Sequence, residues 1–185
     1  VSFTVLTTWR RGRRLLLEEM ARQTFPLADF IGSIGDVHRV HGTAIFMTSS
    51  KEGVPSALLH NLKHNQVLHD RVVLLTVQTA NSPTVNDLDR LYLHRLEEGF
   101  MRVIIRYGFM EDPDVPAALE QCARFGETFE MMETTFYVSR ETVIPRIPGR
   151  DIVPWRARLF AMMSKNATSA TDFFKIPTNR VVELG

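Results

Sequence analysis

Cysteine is nearly absent: Cys122 stands alone in 185 residues. A disulfide within the chain is therefore excluded, and a reducing compartment fits. Cys122 sits in PAALEQCARFG, a helix-like stretch, and reads as a buried core thiol. Net charge is also scarce, +1 from 22 basic and 21 acidic side chains, which removes the global basic field expected of a nucleic-acid binder. No run of about 18 or more apolar residues occurs, so no segment reads as a membrane-spanning helix. The phosphate-cradling patterns G-x-x-x-x-G-K-[ST] and G-x-G-x-x-G are missing, as is the nucleophile pattern G-x-S-x-G. No cofactor is implied.

What the chain does have is an ordinary globular mix, 44% apolar and 23% charged, in a length suited to one domain with an appended arm. Its opening, VSFTVLTTWRRGRR, is informative. Apolar Val1, Phe3, Val5 and Leu6 precede Trp9, and then come Arg10, Arg11, Arg13 and Arg14 with no acid before Glu18. A signal peptide has the reverse order. Tryptophan followed by an arginine cluster is the order expected where a helix leaves a bilayer, because the indole prefers the headgroup level and cytoplasmic flanks carry excess Lys and Arg. Residues 1–9 are accordingly expected to be disordered or packed against a neighbouring molecule when lipid is absent, and anionic headgroups are the expected partners of Arg10–Arg14. LLLEEMARQTF then reads as an amphipathic helix ended by Pro26. The following stretch, with Gly32, Gly35 and isolated apolar residues, reads as a linker over 24–41.

From residue 42 the texture is that of an α/β domain. GTAIFMTS is a short buried strand, SALLHNLKHNQ a helix, and RVVLLTVQT a strand covered on both faces. RLYLHRLEEGFMRVIIRYGFM alternates around Glu98-Gly99 and predicts a hairpin. DPDVPAALEQCARFG predicts a helix closed by Gly126, and ETTFYVSRETVI another strand before a loop marked by Pro145 and Pro148. VPWRARLFAMMSKNA predicts a helix with Trp155, Leu159, Phe160, Met162 and Met163 on a broad face that reads as core. NRVVELG predicts a last strand. The expected fold is α/β, a mixed β-sheet of about five or six strands flanked by helices, with an N-terminal amphipathic helix arm. The expected organisation is a membrane-exit segment and helix over 1–23, a linker over 24–41 and the domain over 42–185.

Few residues suggest chemistry. His60 and His64 share a helix face at i,i+4 with His69 nearby, a pair that can hold zinc in a metal-dependent hydrolase. The zincin pattern, however, needs Glu after the first histidine, where Asn61 stands. The same helix carries Asn61, Lys63, His64 and Asn65, a polar face that reads either as hydrogen-bonded surface or as a contact for an anion or another domain. Glu97–Glu98, Glu111–Asp112 and Glu130/Glu133 read as solvated carboxylates. Taken together these residues predict no enzyme.

The segments TTWRRGRR (7–14), GTAIFMTS (42–49), GVPSALLHNLKHNQVLHDRVVLLTV (53–77), RYGFME (106–111) and FFKIPTNRVVELG (173–185) resemble the C-terminal region of the bacterial Kup (KUP/HAK/KT) potassium uptake transporters. The resemblance implies a regulatory or assembly domain of a proton-coupled potassium importer, on the cytoplasmic face of the inner membrane. The implied partners are the membrane domain of the same transporter and a second copy of the tail. It also implies an alternative, a sensing module for a nucleotide such as cyclic di-AMP, with Asn61, Lys63, His64 and Asn65 as the contact surface. The family's transport-site residues lie in membrane helices, so none is carried onto this chain, and no nucleic acid is implied.

Overall fold

A computed structural model describes residues 2–22, 25–49, 53–140, 154–165 and 170–185. In chain order its helices and strands are α1 (Ser2–Arg22), α2 (Leu27–Ser33), β1 (His38–Met47), α3 (Ser56–Asn65), β2 (Val67–Thr79), α4 (Asp87–Arg90), β3 (Leu91–Arg95), β4 (Phe100–Tyr107), α5 (Val115–Glu120), β5 (Thr134–Ser139), α6 (Pro154–Lys165), α7 (Ala170–Phe173) and β6 (Val181–Leu184). They divide into two compact units. One is Val1–Thr24 with Glu141–Thr168, and the other is Phe25–Arg140 with Ser169–Gly185.

The second unit is built on a six-stranded sheet in the order β3-β4-β2-β1-β5-β6. All neighbours run parallel except β3 and β4, which are antiparallel. The continuous apolar run of β2 has the reason anticipated for it. Leu68, Val72 and Leu74 pack with Ala57 and Leu58 of α3 and with Leu27 and Phe30 of α2, while Val73 and Leu75 pack with Val115, Ala118, Leu119 and Cys122 on the other face. Successive strand residues point to opposite sides, so a strand buried on both sides must be apolar at every position. Each fully buried side chain of this size contributes about 1.5–3 kcal/mol over its exposed state. Phe46 of β1 stacks on Tyr137 of β5, ring centroids 4.6 Å apart, where the two strands pair.

The hairpin forms where the alternation places it. Glu98 (φ 56°) and Gly99 (φ 74°) are its two central residues, and Phe100 N–H donates to the Glu97 carbonyl at 3.1 Å. Two consecutive positive φ values are the requirement of a type I′ turn. Helix α5 starts on Asp114, whose side chain accepts from Ala117 N–H, and the short 3-10 segment that continues it ends on Gly126 at φ 78°.

Two expectations are corrected. The stretch 24–41 is not an irregular linker: it holds α2 and the first residues of β1. Leu27 and Phe30 of α2 are buried, and the Phe30 ring meets Phe100 edge-on at 6.4 Å. Gly32 inside this seven-residue helix and Gly35 just beyond it hid this apolar i,i+3 pair. Likewise β1 does not begin at Gly42. It begins at His38 and passes through a bulge between Val40 and Thr43, with Gly42 at φ 109°. A Cβ on Gly42 would meet the Glu133 carbonyl oxygen at 2.8 Å, so glycine here marks a close approach inside a strand rather than its boundary. The loop expected around Pro145 and Pro148 lies outside the described residues.

The described residues of the first unit form a pair of helices, α1 and α6. Trp9 and Phe160 meet with ring centroids 5.5 Å apart, Phe160 also lies against Gly12, and Thr8 is fully buried. From Ser2 onward α1 is helical and continuous with the arginine segment, and α6 packs against it. The physical reason is a small-residue seam: Thr8 and Gly12, one turn apart, leave room for a phenylalanine ring from α6.

Candidate functional surfaces

Each residue singled out by pattern has a definite place. On α3, Asn61 is 1% exposed. Its Nδ2 donates to the Val67 carbonyl at 3.0 Å, and its Oδ1 accepts from Asn65 Nδ2 at 2.8 Å. These bonds tie the end of α3, where Gln66 turns left-handed at φ 56°, to the start of β2. The Asn61 side chain is thus committed to the fold. Lys63, His64 and Asn65 are exposed on the last turn of α3. A helix C-terminus carries partial negative charge, which favours the Lys63 ammonium and opposes a bound anion. The His60 and His64 rings lie parallel, centroids 6.1 Å apart.

His69, on β2, packs instead against Tyr137, ring centroids 6.1 Å apart. Burial holds its pKa below the ordinary histidine value, with the nearby Asp70 carboxylate pulling the other way. Its Nδ1 is buried without a hydrogen-bond partner. Among the described residues, no three His, Cys, Asp or Glu side chains are grouped as a metal site. Cys122 is fully buried, and desolvation pushes its thiol up to about 11, so it stays protonated.

The carboxyl edge of the sheet holds a cluster that the pattern did not single out. Glu111 read as solvated, but its carboxylate takes hydrogen bonds from three groups. Arg90 Nη2 donates to Oε1 at 2.7 Å, and the backbone N–H groups of Val85 and Gly108 donate to Oε2. The Arg90 guanidinium, followed by these backbone donors, pulls the Glu111 pKa down to about 2. Arg90 also donates to the Val85 carbonyl and to Asp87, and it lies over the Tyr107 ring at 5.1 Å. Gly108 runs so close to the backbone of Pro83 and Thr84 that no Cβ fits. Phe109 N–H donates to the Ser82 carbonyl and Met110 N–H to the Pro83 carbonyl.

The loop after β4 is thereby pinned from three sides. It nevertheless presents Phe109 and Met110 outward, 59% and 74% exposed. Leu88, on the α4 turn tied to the same carboxylate, is 79% exposed. The only hint in the sequence was the glycine between two aromatic residues in RYGFME.

In the helix pair, Trp9, Arg10, Arg13, Arg14, Leu17 and Glu18 line an open groove of about 590 Å³ along α1. The Arg13 guanidinium sits 6.0 Å from the Trp9 ring centroid. On α6, Phe160 is buried as predicted, but Trp155 and Met162 are 53% and 58% exposed. The broad apolar face read as core is thus only partly core, because α6 has α1 on one side and a 12-residue helix cannot bury its whole girth on one partner. No helix among the described residues is long and apolar enough to cross a membrane.

Comparison with known proteins agrees with the resemblance carried by the motifs. Residues 41–185 match the family model of the K+ potassium transporter C-terminal domain. A probable potassium transport system protein, Kup 2, of Dechloromonas aromatica is 72% identical over the whole of this chain, which covers 30% of that protein. Kup 1 of Rhodopseudomonas palustris is 56% identical over the same extent, again 30% of the relative. Kup of Myxococcus xanthus is 52% identical, and there the chain covers 28% of the relative. The chain thus spans about a third of the length of the curated relatives it matches. No solved structure matches it.

Proposed function

The chain belongs to the family of K+ potassium transporter C-terminal domains, and from that premise we propose that it is the cytoplasmic regulatory and assembly domain of a proton-coupled potassium uptake transporter. The observation that carries the assembly role is the pinned loop after β4. Large apolar side chains on a mobile loop cost little, but Phe109 and Met110 stand exposed on backbone held by Glu111, Ser82 and Pro83. A rigid apolar tip suits a docking contact, since no ordering entropy is lost when it binds. Its partner in this reading is the membrane domain of the same transporter.

The test is potassium uptake by the full-length transporter with and without residues 25–185, together with its oligomeric state in detergent. Uptake and assembly unchanged by the deletion would sink the proposal. A finer version replaces Phe109 and Met110 with serine, which should impair assembly or uptake while leaving the isolated domain folded.

A second reading is nucleotide sensing on α3. The parallel His60 and His64 rings stand beside exposed Lys63 and Asn65, so a base could stack on a ring while the Lys63 ammonium offsets the helix C-terminus toward a phosphate. Cyclic di-AMP or AMP that gives no heat in calorimetry at millimolar concentration counts against it. The solution mass of the chain with and without these nucleotides tests pairing through a second copy of the tail.

A further inference from the structure

We infer that the open half of one sheet face, where β4 and β3 carry Arg102, Ile104, Arg106 and Tyr92, is the seat for an acidic amphipathic helix of a partner polypeptide. The inference is independent of the role given above to the Phe109–Met110 tip.

This face of the sheet is covered unevenly. Helices α2 and α3 pack over Leu74 of β2 and reach as far as Phe100, the first residue of β4. Beyond Phe100 the even-numbered residues of β4 continue on the same face, because side chains alternate along a strand. These are Arg102, Ile104 and Arg106, each half-buried, whereas Val103 and Ile105 on the opposite face are fully buried. Among the described residues, Ile104 belongs to neither packed core. The register sets Tyr92 of β3 and Thr76 of β2 on either side of Ile104, and His94 beside Arg102. Tyr92 is 38% exposed, and His94 is exposed as well. An isoleucine and a tyrosine side by side on an open strand pair leave water only when something is laid over them.

Charge selects the occupant. Arg102 and Arg106 flank Ile104 along β4, and no carboxylate stands at the register positions beside them, which are Leu74 and Gln78 on β2 and His94 on β3. Arg106 Nη1 donates to the Tyr92 hydroxyl at 3.5 Å, a bond too long to hold the guanidinium in place. The surrounding unit is acidic. It holds twelve basic and seventeen acidic side chains, whereas residues 1–24 and 141–168 hold ten basic and four acidic. The arginine pair is thus a basic island in an acidic unit, and it favours a partner segment bearing carboxylates. The same face of a second copy would set arginine against arginine, which disfavours that pairing.

The dimensions suit a helix. Strands β2, β4 and β3 lie about 4.8 Å apart, so the face is about 10 Å across, the width of one helix. Arg102 and Arg106 are four residues apart along a strand, about 13 Å. Carboxylates at i and i+8 of a helix lie about 12 Å apart on one side, with an apolar residue at i+4 between them. Such a helix sets its apolar residue on Ile104 and Tyr92 and one carboxylate against each guanidinium, the charge-assisted pairing that arginine favours.

The test uses the 185-residue chain and two labelled alanine-based peptides of about 18 residues, long enough to be helical. One carries Glu, Leu and Glu at i, i+4 and i+8, and the other carries Lys, Leu and Lys. Binding is read by fluorescence anisotropy. The acidic peptide is expected to bind at least about tenfold more tightly than the basic one, with the preference shrinking between about 0.1 and 0.5 M salt. Arg106→Glu should reverse the preference, and Ile104→Ser should weaken the acidic peptide at least about fivefold. Arg106→Glu is a substitution at the surface, so its urea midpoint should match that of the unsubstituted chain. The double variant Phe109→Ser, Met110→Ser should bind the acidic peptide unchanged.

No binding of the acidic peptide at about millimolar concentration overturns the inference. Equal binding of the two peptides overturns it too, as does a preference that survives Arg106→Glu. Loss of binding in the Phe109, Met110 double variant assigns the peptide to the tip and overturns it. Flotation with anionic vesicles, or a dimer in sedimentation, that Arg106→Glu abolishes would give the face to lipid or to a second copy and overturns it likewise.

Discussion

The sheet unit and the helix pair use similar side chains to opposite ends. In the sheet unit, Phe46, Phe100 and Phe136 and the leucines of β2 are closed off from solvent on both faces of the strands. In the helix pair a single aromatic seam, Trp9 on Phe160, is closed, and Phe3, Leu6, Trp155 and Met162 stay open. A sheet with helices on both sides has two buried faces, while a two-helix pair has only one seam. The difference teaches that a sheet covered by helices on both sides closes two faces, whereas a helix pair closes one seam and leaves the rest of its apolar side chains outside it.

The sharpest way to break that contrast is at its centre. Phe46→Ala removes a ring stacked on Tyr137 and is expected to destabilise the sheet unit by about 3–5 kcal/mol, measured by urea unfolding. Gly108→Ala forces a Cβ into the Pro83 backbone and should cost about 1–3 kcal/mol while disturbing the Phe109–Met110 tip, visible as altered hydrogen exchange at 82–85 and 108–111. Asn61→Ala leaves the Val67 carbonyl and the Asn65 amide without these bonds and should also cost about 1–3 kcal/mol; a loss under half of that would return Asn61 to the pool of ligand-contact candidates.

Glu111 predicts a pH dependence. Its folded pKa of about 2 lies below the ordinary 4.5, so the unfolded chain binds the proton more readily. Its contribution is complete above about 4.5 and is lost as pH falls toward about 2. Glu111→Gln should flatten that acid limb of the stability curve and leave the rest of its shape unchanged. The smallest expected effect is the most telling for the comparison: Phe160→Ala should lower the helical circular dichroism signal yet move the sheet's midpoint by no more than about 0.5 kcal/mol. A large shift of that midpoint would mean that the two units unfold as one.

Much of the sheet was legible before any coordinates. The unbroken apolar run of β2, the alternation around Glu98-Gly99, the Asp114 start and Gly126 stop of the α5 segment and the final VVEL strand all rest on local signals, and each appears where expected. α2 and the early start of β1 escaped because glycines masked them, and a glycine's role depends on what approaches it from elsewhere in the chain. Gly42 is inside a strand because a carbonyl from residue 133 lies against it. The functional surfaces were legible by composition only. The basic cluster after Trp9 was visible, as was the polar end of α3. That Asn61 belongs to the fold, that Glu111 is held by Arg90, and that Trp155 faces outward all depend on contacts across tens of residues.

Taken by itself, the sequence determined most of the strands and helices, α2 and the start of β1 excepted, placed Cys122 in the core, and carried motifs that resemble those of potassium transporter tails. Period, turn residues and motif order are local properties and survive without a fold. Only tertiary structure decided the strand order, the pinning of Phe109 and Met110, and the division into an acidic sheet unit and a basic helix pair. Which side chains remain in water depends on which others have already been packed beneath them, and no local pattern carries that information.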